Sequence, residues 1–152
     1  MRQELQRRIS GKRVTIVGVG NPLRGDDGVG PALIERLRGH ADATLIDASD
    51  VPENYLGMIE GANPETIVFV DAVDLGAQPG DVALIEMAQL GGARVTTHNT
   101  SLALAAQMLQ ADTGADIFLL AIQPGVTTLG AAMSPPVQTT LQNVARLIQE
   151  LE

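Results

Sequence analysis

The chain has no cysteine and no tryptophan, and only one tyrosine and two phenylalanines in 152 residues. The lack of cysteine excludes a disulfide framework, a thiolate zinc site and a cysteine nucleophile. With so few aromatics the core must be built from Leu, Ile, Val, Ala and Met, which suits a parallel sheet flanked by helices. Basic residues are also scarce. Ten Lys and Arg against 18 Asp and Glu give a formal charge of −8, which argues against a nucleic-acid-binding surface. No apolar run reaches membrane length and no secretory pattern opens the chain, so a membrane partner is not expected and the cytoplasm is the expected compartment. The length is that of one compact domain and 45% of the residues are hydrophobic, so residues 1–152 are expected to form a single domain.

What the chain does have is glycine in one informative place. Gly18-Val19-Gly20-Asn21-Pro22-Leu23-Arg24-Gly25-Asp26-Asp27-Gly28-Val29-Gly30 follows the β-branched run Arg13 to Val17. It precedes Pro31 to Leu37, where Leu33, Ile34 and Leu37 have helical spacing. Strand, turn and helix are therefore expected, with Asp26 and Asp27 at the carboxyl end of the first strand. Acids at a helix start are common because backbone N–H groups and the helix dipole stabilise negative charge. Two adjacent acids hemmed by glycines exceed what capping requires.

Along the rest of the chain, residues 1–11 read as a polar, frayed or short helical lead-in. Arg2, Arg7, Arg8, Lys12 and Arg13 read as a solvated basic terminus. Ala43 to Asp47 is the second strand, followed by a helix capped by Ser49 or Asp50, with Tyr55, Leu56 and Ile59 on its apolar face. Thr66 to Asp71 is the clearest strand, an unbroken apolar run of the kind buried on both faces. Asp81 to Glu86 is another, and the short link before it leaves no room for a crossover helix, so it should pair antiparallel at an edge. A helix opens in Thr96-Thr97-His98-Asn99-Thr100-Ser101 and runs to about Gln110. Ile117 to Ile122 is the last strand, and a closing helix starts at Ser134-Pro135-Pro136 with Val137, Leu141, Val144, Ile148 and Leu151 as one stripe. This predicts an α/β fold, a three-layer sandwich with a mostly parallel twisted sheet of about five strands and helices on both faces.

Functional residues in such folds gather beyond the carboxyl ends of the strands. Asp26 and Asp27, Asp71 and His98 all meet that test, whereas His40, the second histidine, sits in a polar turn and reads as surface. Two carboxylates and an imidazole make an oxygen, oxygen, nitrogen ligand set suited to zinc, nickel or manganese, with positions left open for water or substrate. The rival chemistries are weaker. Gly-x-Ser-x-Gly and the phosphate loop are absent. Gly18-Val19-Gly20 with Asp47 at the end of the second strand partly matches a dinucleotide fingerprint, but position 23 is Leu where a small residue is required, and two acids would face a pyrophosphate.

The segment Gly18 to Gly30 closely resembles the G-x-G-N-x-x-x-x-D-[DE]-x-x-G signature of the nickel–iron hydrogenase maturation endopeptidases. The resemblance continues through Ile46-Asp47, Val68 to Asp74, Thr96-Thr97-His98-Asn99 and Ile117 to Pro124. The Thr-Thr-His-Asn and Ala-Ile-Gln-Pro blocks look most like the branch that processes the formate-hydrogenlyase enzyme, hydrogenase 3. The resemblance implies a peptidase, aspartic-type or metal-dependent, that removes a C-terminal extension from the hydrogenase large-subunit precursor after nickel insertion. It also implies that nickel, supplied by the precursor and not held permanently by the enzyme, is read through Asp27, Asp71 and His98. The second acid of the pair is Glu in some relatives and the shorter Asp here. Asp26 is then a turn and helix-start residue, and Asp47 and Asn21 are support or substrate contacts. A monomer is expected. A non-catalytic metal-sensing chaperone for the precursor is the alternative class, and a dinucleotide-binding protein a more distant one.

Overall fold

Unbroken β-branched runs become the inner strands of a sheet, and the connections set the strand order. The computed structural model describes residues 1–87 and 99–152. The described strands are β1 (Val14–Val19), β2 (Thr44–Ser49), β3 (Thr66–Ala72), β4 (Val82–Glu86) and β5 (Asp116–Ile122). They form one sheet in the order β2-β1-β3-β5-β4. β1 pairs parallel with β2 and β3, and β3 parallel with β5. β4 pairs antiparallel with β5 at the edge, as its short connection from β3 requires. Every residue of β1 and β3 is buried, which explains the absence of polar alternation in both.

Helices cover both faces. Side chains of α1 (Arg2–Ile9), α2 (Val29–Leu37) and α5 (Pro135–Leu151) join Ile16, Val68, Val70, Phe118 and Leu120 in one core. On the other face α3 (Leu56–Gly61) and α4 (Asn99–Thr113) pack on Val17, Ile67, Phe69 and Leu119. The α5 stripe is buried at all five expected positions, Val137, Leu141, Val144, Ile148 and Leu151. Phe69 and Phe118, the two phenylalanines, are both fully buried, one on each face.

Close approach of α2 to the sheet depends on missing Cβ atoms. A Cβ on Gly18 would lie 2.5 Å from the Gly30 carbonyl oxygen and 2.7 Å from Ile34 Cγ1. One on Gly30 would run into the carbonyls of Val19 and Val70. The glycines of the turn are thus spacers between strand and helix as much as hinges.

The amino terminus takes the short helical form, one of the two expected, but it is not merely solvated: α1 is a docked helix with Leu5 and Ile9 buried. Arg8, between them on the same face, is 6% exposed. Its Nε and Nη2 donate to the two Asp116 carboxylate oxygens at 2.8 and 2.6 Å, and Nη1 and Nη2 donate to Glu86. The guanidinium also lies 4.0 Å over the Phe118 ring. Thr66 Oγ1 donates to the Arg8 carbonyl at 2.7 Å. One arginine therefore ties α1 to the beginnings of β3 and β5 and the end of β4, at the amino-terminal rim of the parallel strands. Arg8→Met keeps the aliphatic stem but removes the charge. Because Asp116 and Glu86 are 43% and 56% exposed and can return to water, the expected loss is about 1–3 kcal/mol. A urea midpoint indistinguishable from wild type would show that the cluster contributes nothing net.

The second connection also differs. Pro52–Tyr55 is a 3-10 turn leading into the short α3, and the residue before it is Val51. Neither Ser49 nor Asp50 caps it. Ser49 instead closes β2 with a positive φ of 50°, stabilised by the Asp47 side chain, which accepts the Ser49 N–H at 2.9 Å.

Candidate functional site at the carboxyl rim

The site is built where β1 ends. Val19 is followed by Gly20, whose φ of +142° is disfavoured for any residue with a Cβ, and a Cβ there would overlap the Asp27 carbonyl oxygen. The Gly20 N–H donates to the Ser49 carbonyl at 2.7 Å, so the ends of β1 and β2 are joined and Asp47 supports that junction through Ser49. Asn21 then makes the turn, its Oδ1 accepting the Leu23 N–H at 2.9 Å. Its own N–H donates to Asp27 Oδ2 at 2.9 Å, fixing one oxygen of that carboxylate. Asn21 and Asp47 each hold backbone of the rim through a side-chain hydrogen bond.

Gly25–Gly28 forms a 3-10 turn that carries both acids and runs directly into α2. The two neighbours have separate environments. Asp27 is half-buried, while Asp26 has no exposed surface. The expected cap by Asp26 on its own helix is not made: no side chain caps the 3-10 turn or α2. Asp26 reaches instead to the loop between β5 and α5. Its Oδ2 accepts the N–H groups of Gly125 and Val126 at 2.7 and 2.9 Å and the Ser134 hydroxyl at 2.7 Å, and its Oδ1 accepts the Ser134 N–H at 2.7 Å. Burial pushes the Asp26 carboxyl up, but the Ser134 hydroxyl and the three N–H groups outweigh it and hold the group below its ordinary value. Ser134 is the residue before Pro135 and Pro136, which have no N–H to offer, so the Asp26 carboxylate places its charge at the start of the 17-residue α5. No local pattern could signal this role, because the partners are about a hundred positions away.

Asp71 lies near the end of β3, opposite Ala121 of β5, and is buried. It alternates with Phe69 and Val73, both in the core of the α3 and α4 face, so it belongs to that face. The turn carrying Asp27 rests against β3, and Gly18 of β1 is in register with Val70, the residue before Asp71. Asp27 and Asp71 therefore share the carboxyl rim of two adjacent parallel strands. α4 packs on the Asp71 face and touches the 3-10 turn that follows β2. His98 immediately precedes α4 in the sequence and lies outside the described residues, as do Thr96 and Thr97. Among the described residues no group of three His, Cys, Asp or Glu side chains could hold a metal ion. His40 is exposed, as expected of a surface turn.

Gln123, at the end of β5, belongs to the Ala-Ile-Gln-Pro block but has no expected role at the rim. It is 7% exposed, and its Oε1 accepts the N–H groups of Leu75 and Ala77 at 2.6 and 3.2 Å. Its Nε2 donates to the Pro124 carbonyl at 3.1 Å and to Asp74 at 3.3 Å. One buried amide thus fixes the loop after β3 beside Asp71. Its signals in the sequence are its place in the Ala-Ile-Gln-Pro block and a polar residue ending an apolar run just before Pro-Gly.

Comparison with known proteins places this rim in context. Residues 29–151 match the family model described as hydrogenase maturation protease, a segment that includes Asp71 and His98 and begins just after Asp27. The chain is 32% identical over 137 residues to the hydrogenase 3 maturation protease of Escherichia coli K12, covering 88% of this chain and 87% of that one. Among solved structures, a [NiFe] hydrogenase maturation protease HycI from Thermococcus kodakarensis superposes with a TM-score of 0.89 at 35% identity, over 97% of both chains. The endopeptidase HycI from Escherichia coli superposes with a TM-score of 0.83 at 29% identity, over 91% of this chain and 90% of that one. The chain belongs to the hydrogenase maturation protease family.

Proposed function

We propose that the chain is the endopeptidase that removes a C-terminal extension from the large-subunit precursor of a nickel–iron hydrogenase once nickel has been inserted. In this reading Asp27, Asp71 and His98 contact the nickel still held by the precursor. The observation that carries it is the pairing of Asp27 and Asp71 on one rim by adjacent parallel strands, although they are 44 positions apart in the sequence. Carboxylate oxygen and imidazole nitrogen are donors that nickel accepts, and three of them leave coordination positions for the precursor's own ligands. Asp71 is buried, so its contact with the metal requires neighbouring groups to move apart as the precursor docks. The dependence on a metal brought by the substrate makes completed insertion the condition for cleavage.

No described helix is long and apolar enough to cross a membrane. The proposal places the enzyme in the cytoplasm, acting as a monomer on one precursor molecule. The partner by resemblance is a hydrogenase of the hydrogenase 3 type.

The test is incubation with nickel-loaded and nickel-free precursor, followed by mass spectrometry of the precursor. The expected result is shortening at its C-terminus only when nickel is present, with no metal carried by the enzyme alone. Binding without shortening would make the protein a chaperone, and shortening of nickel-free precursor would remove the metal from recognition. His98→Ala is expected to abolish nickel-dependent shortening while leaving the far-UV circular dichroism unchanged. Loss of folding would assign His98 to the scaffold.

A further inference from the structure

Two loops meet beside Asp27 and expose aliphatic side chains that the core could have used. Leu23 is 68% exposed, Leu129 62% and Val126 41%. Their backbones are joined: the Gly130 N–H donates to the Leu23 carbonyl at 2.7 Å, and the Asp26 N–H donates to the Val126 carbonyl at 2.7 Å. A Cβ at Gly25 would strike the same Val126 carbonyl, so the loops lie in direct contact there. Isolated exposed apolar side chains are ordinary and imply nothing. Met58 on α3 is one of those. Three on two hydrogen-bonded segments gather apolar exposure in one region, and gathered apolar exposure marks interaction surfaces.

This ridge is also stiff. The buried Asp26 carboxylate holds Gly125, Val126 and Ser134, while Asn21 Oδ1 holds the Leu23 N–H. A surface already ordered in the free chain loses little entropy on binding. Exposed Arg24 stands between Leu23 and Gly25, and arginine is enriched in protein-binding patches.

We propose that the ridge of Leu23, Val126 and Leu129 is the surface on which the precursor protein docks. The proposal rests on the function proposed above. It commits to that occupant because the ridge adjoins Asp27 through Arg24 to Asp26, so a folded protein that presents its metal to Asp27 comes within reach of the ridge. Specificity for one large subunit then resides in apolar complementarity at the ridge, separately from the metal-reading acids.

Leu23→Ser and Leu129→Ser test this without altering charge, and Leu23 enters the loop hydrogen bonds only through its backbone N–H and carbonyl. Each is expected to raise KM for nickel-loaded precursor, and the Kd measured calorimetrically, about 10-fold, and the double variant about 100-fold, with kcat within about twofold of wild type. Met58→Ser serves as the control and should leave KM unchanged. If wild type binds the precursor without cleaving it, the functional reading fails while the Kd series still tests the ridge; absence of binding overturns both. If wild type cleaves and the ridge variants keep its KM and Kd, the ridge proposal alone is overturned. A fall in kcat at unchanged KM would also overturn it, as would loss of self-association with precursor affinity intact, which would make the ridge a contact between copies of this chain.

Discussion

Asp26→Ala is expected to lower stability by about 3–5 kcal/mol, a large fraction of what a domain of this size has in total. The side chain accepts three N–H groups and one hydroxyl from Gly125, Val126 and Ser134, and it is fully buried. Bonds to an ionised acceptor contribute roughly 1.5–3 kcal/mol each, but they share one carboxylate and their effects do not add. Part of the loss is recovered because Ser134 is only half-buried and water can reach it once the loop loosens. Asp26→Asn is milder, about 2–3 kcal/mol, because an amide oxygen at the Oδ2 position would leave its NH2 facing the Ser134 N–H, donor against donor.

The same carboxylate gives a signed dependence on pH. Its folded value is depressed below the ordinary 3.8. Between the two values the unfolded chain binds more protons, so the stability it contributes is complete above the unfolded value and is lost as pH falls through the folded one. Urea titrations should therefore show a gap between wild type and Asp26→Asn that is constant from pH 7 to about 5 and narrows below about pH 4. A gap that widens on acidification, or one below about 0.5 kcal/mol at neutral pH, would contradict the clamp.

How much of this could be read from the chain depends on how local each cause is. Strands β3 and β5 declare themselves because burial on both faces forces unbroken apolar runs, and β4 is fixed as antiparallel by the length of its connection alone. α5 is legible because one stripe faces one core. The glycines at 18 and 30 are legible as a strand exit, though their service as spacers appears only when α2 is seen lying on the Val19 and Val70 carbonyls. Arg8 was missed for a physical reason. Leu5, Arg8 and Ile9 sit at i, i+3 and i+4 on one helical face, but in a segment so rich in charge that the apolar pair does not stand out. Its partners, Glu86 and Asp116, are 78 and 108 positions away. The two adjacent acids divide in the same manner. The family resemblance already sets Asp26 apart from Asp27, but only the packing of the loop from Gly125 to Ser134 shows what Asp26 holds.

That division gives Asp71→Asn its diagnostic value, since its main expected effect falls on processing, whereas that of Asp26→Asn falls on stability. Processing of nickel-loaded precursor should fall about 100- to 10,000-fold, the range for removing a positioned acid or base group. An uncharged amide is a poor ligand for nickel and cannot act as a general base, so the loss follows whether Asp71 binds the metal or takes a proton. Stability should meanwhile change less than in Asp26→Asn. Asp71 is buried, and a buried carboxylate bears a desolvation cost that an amide of nearly the same shape avoids while keeping one acceptor oxygen, which offsets part of what its interactions lose. A carboxylate kept at such a position despite that cost is explained by chemistry, and one whose replacement loosens the fold is explained by scaffolding. Thermal melts and precursor cleavage measured on both variants separate the two cases. Retained cleavage with a lowered melting temperature in Asp71→Asn would move Asp71 to the scaffold beside Asp26, leaving Asp27 as the sole acid at the rim to carry the proposed reaction.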